Sequence, residues 1–374
     1  MSRAGRAAAG PAVAGTVATG AVGAAAARGA YRTLRRHPPA GQQTWTRTNH
    51  RGELVTLLEG PAVAVGAITA EVVSAAVAAR RSGSESHNHF SSERTVGSHA
   101  SLAMAVAGGG ALGFGVLDDL AGSGSRRGLK GHLGALAHGE VTTGAVKLAG
   151  LAATGLAGSL LIGGKRSDVL INAGLIAGGA NLLNLFDLRP GRAVKVAALS
   201  AGLIAAGGAT TGPDRSAGLA AVAAPLGAGL ALLPEDLAER AMLGDAGANA
   251  LGAMLGTAAA SALPRPARAG LLAGIIALTV ASEKVSFTKV IETTPALRRL
   301  DLLGRRPSPM GAPAATGADQ EPVVEVESTD GARVIRLSAR PAGRHRRVGS
   351  GEDRVRSINW LFGFFFRALA RQEP

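Results

Sequence analysis

Nine long stretches of apolar, nearly uncharged residues limit what this chain can fold into. A helix that crosses the hydrocarbon core of a bilayer needs about 20 mostly apolar residues, and most of the nine are of that length. Charged residues are only 18% of the chain and gather between the stretches. The pattern predicts an all-α, polytopic membrane helix bundle of about nine to ten transmembrane helices. The stretches are 7–27, 54–79, 100–117, 141–164, 169–186, 196–211, 217–233, 246–263 and 269–282.

The apolar residues of this chain have mostly small side chains. The 374 residues include 54 Gly but only 8 Phe, 2 Trp and 1 Tyr. Helices with so few bulky side chains are expected to touch through small residues, for example at 108–110 and along the seventh stretch. Because cysteine is absent, disulfide scaffolds and thiolate metal sites are excluded.

The net charge of +14 comes from 40 Lys and Arg against 26 Asp and Glu. Such an excess suits either nucleic acid or an anionic membrane surface. The excess is almost entirely arginine, in a chain also rich in Ala and Gly, which is typical of a compositional bias rather than of a phosphate-binding face. We therefore expect a membrane, and no nucleic acid, as partner.

The arginines around the first stretch predict the orientation of the bundle. Four of them follow the stretch and two precede it, and positive residues favour the cytoplasmic side. A cleaved signal peptide is the alternative, although the stretch is long for that role. If the stretch is retained, the cytoplasmic connections of this plasma-membrane protein are 28–53, 118–140, 187–195, 234–245 and the chain from 283 onward.

Two adjacent carboxylates, Asp118 and Asp119, end the third stretch. Side by side at the membrane edge they repel each other and lose hydration, so a cation or a basic cluster is expected beside them. Mg²⁺ suits such a pair because it prefers oxygen ligands. A solvated pair that simply ends the helix is the alternative.

The fifth stretch ends with Asn181, Asn184 and Asp187, spaced three residues apart. On a helix they share one face, which gives an otherwise apolar span a polar stripe at its cytoplasmic end. Such stripes usually line a bundle interior or a water-filled cavity. A functional role is favoured over purely structural hydrogen bonding between helices.

A Gly244-Asp245-Ala246-Gly247 turn opens the eighth stretch. Glycine lets the backbone approach a ligand closely, and a helix N-terminus can donate N–H groups to a phosphate. Asp245 could bind a metal or a nucleoside, or could serve only as a helix cap.

Together, the double Asp, the Asn-x-x-Asn-x-x-Asp segment and the Gly-Asp-x-Gly segment resemble the polyprenyl-phosphate N-acetylhexosamine-1-phosphate transferase superfamily. The resemblance covers residues 40–305. It implies a Mg²⁺-dependent phosphotransferase that moves a sugar 1-phosphate from a UDP-sugar to polyprenyl phosphate, with UMP leaving, in cell-wall and peptidoglycan assembly. A homodimer is a further partner expectation.

The resemblance also implies roles for individual residues. Asp118, Asp119 and Asp187 would be the catalytic and metal-binding carboxylates. Substrate binding would involve the remaining motif residues and a lysine that follows the acidic pair, with Lys147 as a second such lysine. These substrate residues are Asn181, Asn184, Gly244, Asp245 and Lys130.

The sequence departs from the family after Asp187. The family has a second Asp-Gly there, whereas this chain has Arg189 and Arg192. Because arginine can bind a phosphate with two parallel hydrogen bonds, both are predicted to bind substrate phosphate. The histidine cluster of the family's last cytoplasmic loop is also missing from 283–299.

The resemblance and the composition predict three parts of the chain: a transferase-like membrane domain at 1–304, a disordered polar tail at 305–356, and an aromatic interfacial segment at 357–374. Two other functions stay open. One is a non-catalytic membrane protein that binds polyprenyl phosphate or a nucleotide-sugar in an envelope-assembly complex. The other is a small-solute transporter, which usually has its polar residues near the bilayer midplane rather than at one rim.

Overall fold

The computed structural model describes residues 3–84, 92–121, 142–210, 217–307, 325–329 and 332–336. Each of the nine apolar stretches forms one long helix, in the order α1 Arg3–Arg36, α2 Glu59–Ser84, α3 Ser92–Ala121, α4 Thr143–Ile162, α5 Arg166–Phe186, α6 Arg192–Gly208, α7 Ala217–Leu237, α8 Gly244–Ala262 and α9 Arg265–Ser282. Two short helices follow, α10 Phe287–Thr293 and α11 Pro295–Leu302.

Helix α8 is the centre of the bundle. It packs against α2, α3, α4, α5, α6 and α7, and Asp245 is its one residue before Ser261 that is not fully buried. A helix that is apolar on every side is stable only when surrounded in this way. The polar groups at its N-terminal end therefore lie among the ends of its neighbours.

Small residues bring the helix backbones together, as the composition predicted. A Cβ on Gly179 of α5 would lie 2.7 Å from the carbonyl oxygen of Gly252 in α8, and one on Gly60 of α2 would lie 2.6 Å from the amide nitrogen of Gly247. In the seventh stretch, Gly227 meets the backbone of Gly20. Any larger residue at these positions would push the helices apart.

A β-hairpin connects α1 to α2 at the end of the bundle where α8 begins. Its strands, β1 Thr46–Thr48 and β2 Leu54–Thr56, pair antiparallel. Trp45, 2% exposed, anchors the hairpin and donates its indole N–H to the Pro39 carbonyl at 2.8 Å. The Met242 amide donates to the Thr56 carbonyl at 2.9 Å, so the hairpin is joined to the segment that leads into α8. We call this end of the bundle the site end.

The nine to ten membrane spans predicted from the sequence are not confirmed. Within the described residues, five helices are long and apolar enough to cross a membrane: Glu59–Arg80, His99–Ala121, Thr143–Ile162, Arg166–Phe186 and Gly218–Leu237. The bent pair Arg265–Ser282 and Phe287–Thr293 counts as a sixth only if its two helices form one span. Helices α1, α6 and α8 do not reach this limit, because Ala and Gly contribute little hydrophobicity and α6 has only 17 residues. The chain is nevertheless mostly helical, with the character of a membrane protein.

The predicted tail contains regular structure in its described part. Strands β3 Glu325–Thr329 and β4 Ala332–Arg336 pair antiparallel, from Glu325 opposite Arg336 to Thr329 opposite Ala332. The aromatic segment at 357–374 lies outside the described residues.

Single cysteines in this cysteine-free chain test the predicted orientation. Arg36 and Lys289 are exposed at the site end, and Lys165 is exposed at the other end. If the site end faces the cytoplasm, Lys165→Cys is labelled by an impermeant thiol reagent in whole cells, whereas Arg36→Cys and Lys289→Cys are labelled only after the membrane is opened. Labelling of Arg36→Cys in intact cells would contradict this orientation.

Candidate functional site

The Asp119 carboxylate, at the end of α3, caps the N-terminus of α8. Its two oxygens accept hydrogen bonds from the backbone amides of Asp245, at 3.1 Å, and Ala246, at 2.9 Å. The first amides of a helix have no partner within the helix, and a negative charge there is stabilised by the helix dipole. Asp119 thus joins the first predicted motif to the third.

Two glycines allow this approach. A Cβ on Gly115 of α3 would lie 2.5 Å from the Asp245 carbonyl oxygen. Gly244 has a φ of +63°, in the left-handed region that favours glycine, and a Cβ there would lie 3.2 Å from both Asp119 carboxylate oxygens. The glycine of the Gly-Asp-x-Gly turn is therefore required by backbone conformation and by space.

Lys147, in the first turns of α4, bridges the other two carboxylates. Its Nζ lies 2.7 Å from Asp118 Oδ2 and 2.5 Å from Asp245 Oδ2. All three side chains are largely buried, with the Lys147 side chain 12% exposed. The sequence predicted a cation beside Asp118 and Asp119. The side chain of Lys147 supplies one beside Asp118.

Asp187 follows the last residue of α5 and is partly buried. Burial raises the pKa of this carboxyl well above its usual range, and the negative charge of Asp236 raises it further. A hydrogen bond from the Gly244 backbone opposes the rise. Gly244 therefore lies between Asp119 and Asp187, which brings the second motif to the other two.

The described carboxylates do not form a metal site by themselves. Among the residues that the structure describes, no group of three or more His, Asp or Glu side chains is placed to hold a metal ion. Asp119 is engaged with backbone amides, and Asp118 and Asp245 share Lys147. Asp187 accepts a hydrogen bond from one backbone amide, that of Gly244.

A small cavity of about 50 Å³ lies beside Asp187. The hairpin contributes Asn49 and His50 to its lining, the last turn of α7 contributes Asp236, and the turn after α7 contributes Glu239. Asp236 accepts a hydrogen bond from the Gly191 amide at 2.9 Å. The cavity can hold a few water molecules and is too small for a nucleotide, which would have to bind on the open side of the site end.

The two arginines after Asp187 have different surroundings. The Arg189 side chain lines the cavity, is 26% exposed, and lies 3.7 Å from Glu292. The Arg192 side chain is 3% exposed and binds Asp301 of α11 through Nε, at 2.7 Å, and a second nitrogen, at 3.2 Å. Arg189 remains available to a phosphate. Arg192 instead holds the C-terminal helices against the bundle.

The structure brings only some of the remaining predicted residues to the site. Asn181 and Asn184 are partly buried in the last two turns of α5, and the Asn184 carbonyl accepts the Asp187 amide at 3.0 Å. Lys130 lies outside the described residues. Lys147, named second among the lysines, is the one that contacts the acidic pair.

Sequence reasoning missed two polar contributors. Arg47 of β1 donates to the backbone carbonyl of Asp119, and Asp236 lines the cavity with Asp187. Both belong to connections predicted to face the same side as the motifs, 28–53 and 234–245. Because neither residue belongs to a motif, their position in these connections was the only feature of the sequence that could have indicated them.

No known protein-family model matches this chain, and a search of the curated proteins found no significant similarity.

Replacing Lys147 tests its role in the site. Lys147→Met leaves Asp118 and Asp245 close together without a cation, and we expect a loss of about 3 kcal/mol in stability. Mg²⁺ should raise the melting temperature of the variant more than that of the wild type, because the freed carboxylates can accept the metal. Thermal unfolding in detergent, with and without Mg²⁺, measures both effects.

Lys165→Met, at the opposite end, is the matched control and should behave as the wild type. Equal Mg²⁺ stabilisation of Lys147→Met and wild type would show that the two carboxylates do not bind the metal even when freed.

Replacing Arg192 separates a structural role from phosphate binding. Arg192→Met leaves the Asp301 carboxylate, 7% exposed, without its main partner, and should cost about 3 kcal/mol. Arg189→Met breaks only a partly exposed 3.7 Å contact and should cost about 1 kcal/mol or less. Thermal unfolding of both variants makes the comparison. An unchanged stability for Arg192→Met, with weaker binding of UDP-sugars, would restore its predicted role as a phosphate ligand.

Proposed function

We propose that this protein transfers a sugar 1-phosphate from a UDP-sugar to polyprenyl phosphate at the site end of the bundle, in cell-envelope glycan assembly. The observation that carries the proposal is the meeting of three motifs distant in sequence. Asp119 caps α8 at Asp245, Lys147 joins Asp118 to Asp245, and Gly244 separates Asp119 from Asp187. Such a group of charges at one end of a membrane bundle suits phosphoryl transfer between a soluble donor and a lipid acceptor.

In the proposed reaction, an oxygen of the lipid phosphate attacks the β-phosphorus of the UDP-sugar. The bond from that phosphorus to the bridging oxygen breaks, and UMP leaves with the oxygen. Lys147 and Arg189 supply positive charge to the phosphate oxygens, which lowers the energy of the transition state most where water is excluded.

Magnesium is part of the proposal through its usual coordination. Mg²⁺ is commonly coordinated by one or two protein carboxylates together with substrate phosphates and water. A protein that supplies only part of the ligand set before substrate binds is consistent with that coordination. When bound, the ion would neutralise charge on the pyrophosphate. Asp187 is the carboxylate that we expect to hold it.

A non-catalytic role is the second candidate, and Lys147 is the observation that favours it. Its ammonium already pairs with both Asp118 and Asp245, which leaves the three groups with one net negative charge and a weaker need for a metal. A bundle with this site could bind a polyprenyl phosphate or a nucleotide-sugar without turnover, as part of an envelope-assembly complex.

The experiment that decides is a transfer assay with the purified protein. It is incubated with a short-chain polyprenyl phosphate, Mg²⁺ and a panel of UDP-sugars labelled in the sugar, and both lipid-linked label and released UMP are measured. Asp187→Asn should lower turnover by about a hundredfold or more. Asp168→Asn, at the opposite end where Asp168 pairs with Arg268 at 3.2 Å, should keep it.

Saturable binding of a UDP-sugar or the lipid phosphate without product would favour the non-catalytic candidate. Neither binding nor product with any donor would exclude both.

A further inference from the structure

The chain turns sharply where α9 leaves the bundle. The axes of α9 and α10 differ by 94°, and α11 begins two residues after α10 ends. If α9 crosses the membrane, a helix at right angles to it runs along the plane of the membrane. We call residues 284–303, which include α10 and α11, the interfacial segment. It is distinct from the aromatic segment predicted at 357–374.

The interfacial segment exposes many large aliphatic side chains. Each of the six is between 39% and 66% exposed: Val285, Val290, Leu297, Leu300, Leu302 and Leu303. Leu271, Ile276, Leu278 and Val280 of α9 are also exposed, so the apolar surface continues from the bundle side into the segment. Aliphatic surface of this extent is unfavourable in water and is commonly covered by a partner or a membrane.

Basic side chains accompany the aliphatic ones. Lys284, Lys289, Arg298 and Arg299 are exposed. In the part of the chain that the structure describes, none of their side chains forms an ion pair or hydrogen bond. The segment's own acidic groups are engaged elsewhere, since Asp301 binds Arg192 and Glu292 lies near Arg189. A helix surface of leucines and free cations is complementary to anionic lipid headgroups above acyl chains.

The segment is fixed to the bundle beside the candidate site. Phe287 stacks on Phe186, the residue before Asp187, with ring centroids 5.0 Å apart. Arg192 also donates to the Thr288 hydroxyl at 3.0 Å. A membrane contact made by the segment would therefore hold the site end at the level of the headgroups.

We propose that the interfacial segment is a docking surface for the anionic headgroup layer of the membrane in which the bundle lies. The aliphatic side chains enter the acyl boundary, and the four basic side chains contact phosphate groups. This proposal does not depend on the transferase activity, because it concerns a surface outside the acidic residues of the site.

The test uses the full chain with one cysteine, Leu300→Cys, carrying an environment-sensitive fluorophore. The protein is placed in vesicles of phosphatidylcholine alone and of phosphatidylcholine with phosphatidylglycerol. We expect a blue shift of the emission in the anionic vesicles, and its loss at high salt. The same label on Leu54→Cys, an exposed leucine of the hairpin at the same end, should not respond.

A charge variant completes the test. Replacing Lys284, Lys289, Arg298 and Arg299 by Gln should abolish the shift, whereas replacing the exposed Lys165 and Arg166 at the opposite end by Gln should preserve it. The proposal is overturned if emission at residue 300 is the same in both vesicles, if the shift survives the fourfold replacement, or if Leu54→Cys responds equally. Water-like emission in both vesicles would indicate a protein partner or a second copy of this chain instead.

Discussion

The cap that Asp119 places on α8 is the contact on which the rest of the site depends. Helix α8 is enclosed by six neighbours, so water has little access to its first amides, and an unpaired buried amide is costly. The Asp119 carboxylate supplies acceptors for two of them. Once α3 and α8 are held in this way, Gly244 and Asp245 have fixed positions, and Lys147 and Asp187 are arranged around them.

Close backbone packing is the second constraint, and it determines how much side-chain chemistry the bundle can hold. Where glycine faces glycine, as at Gly179 and Gly252, the interior has room for little else. Side chains at these glycine crossings are small, and the described site of charged residues lies at one end of the bundle. The same packing favours van der Waals contact over hydrophobic burial, as expected for helices surrounded by lipid.

The sequence predicted the helices and the gathering of the acidic motifs, because apolar length and the alternation of sides are local properties of the chain. Lys147 and Arg192 show what it could not predict. Lys147 contacts Asp245, 98 residues away in sequence, and Arg192 binds Asp301, 109 residues away. A local sequence pattern cannot indicate a partner at such a separation. The predicted number of spans is not confirmed, because runs of Ala and Gly are long enough to cross a membrane but only weakly hydrophobic.

The hairpin and the end of α11 also meet across the whole length of the bundle domain. Arg51 donates to the backbone carbonyls of Arg306 and Pro307, both at 3.0 Å, and Glu53 binds Arg306 at 2.8 Å. A ribosome releases the hairpin long before Arg306 is made, and domains form from the N-terminus during synthesis. Asp119 likewise obtains the amides that it caps only after α8 has been made, whereas Asp118 can pair with Lys147 once α4 is present. Assembly of this protein would then be sensitive to the order and speed of insertion, and an insertase or chaperone that shields the early helices would raise its yield.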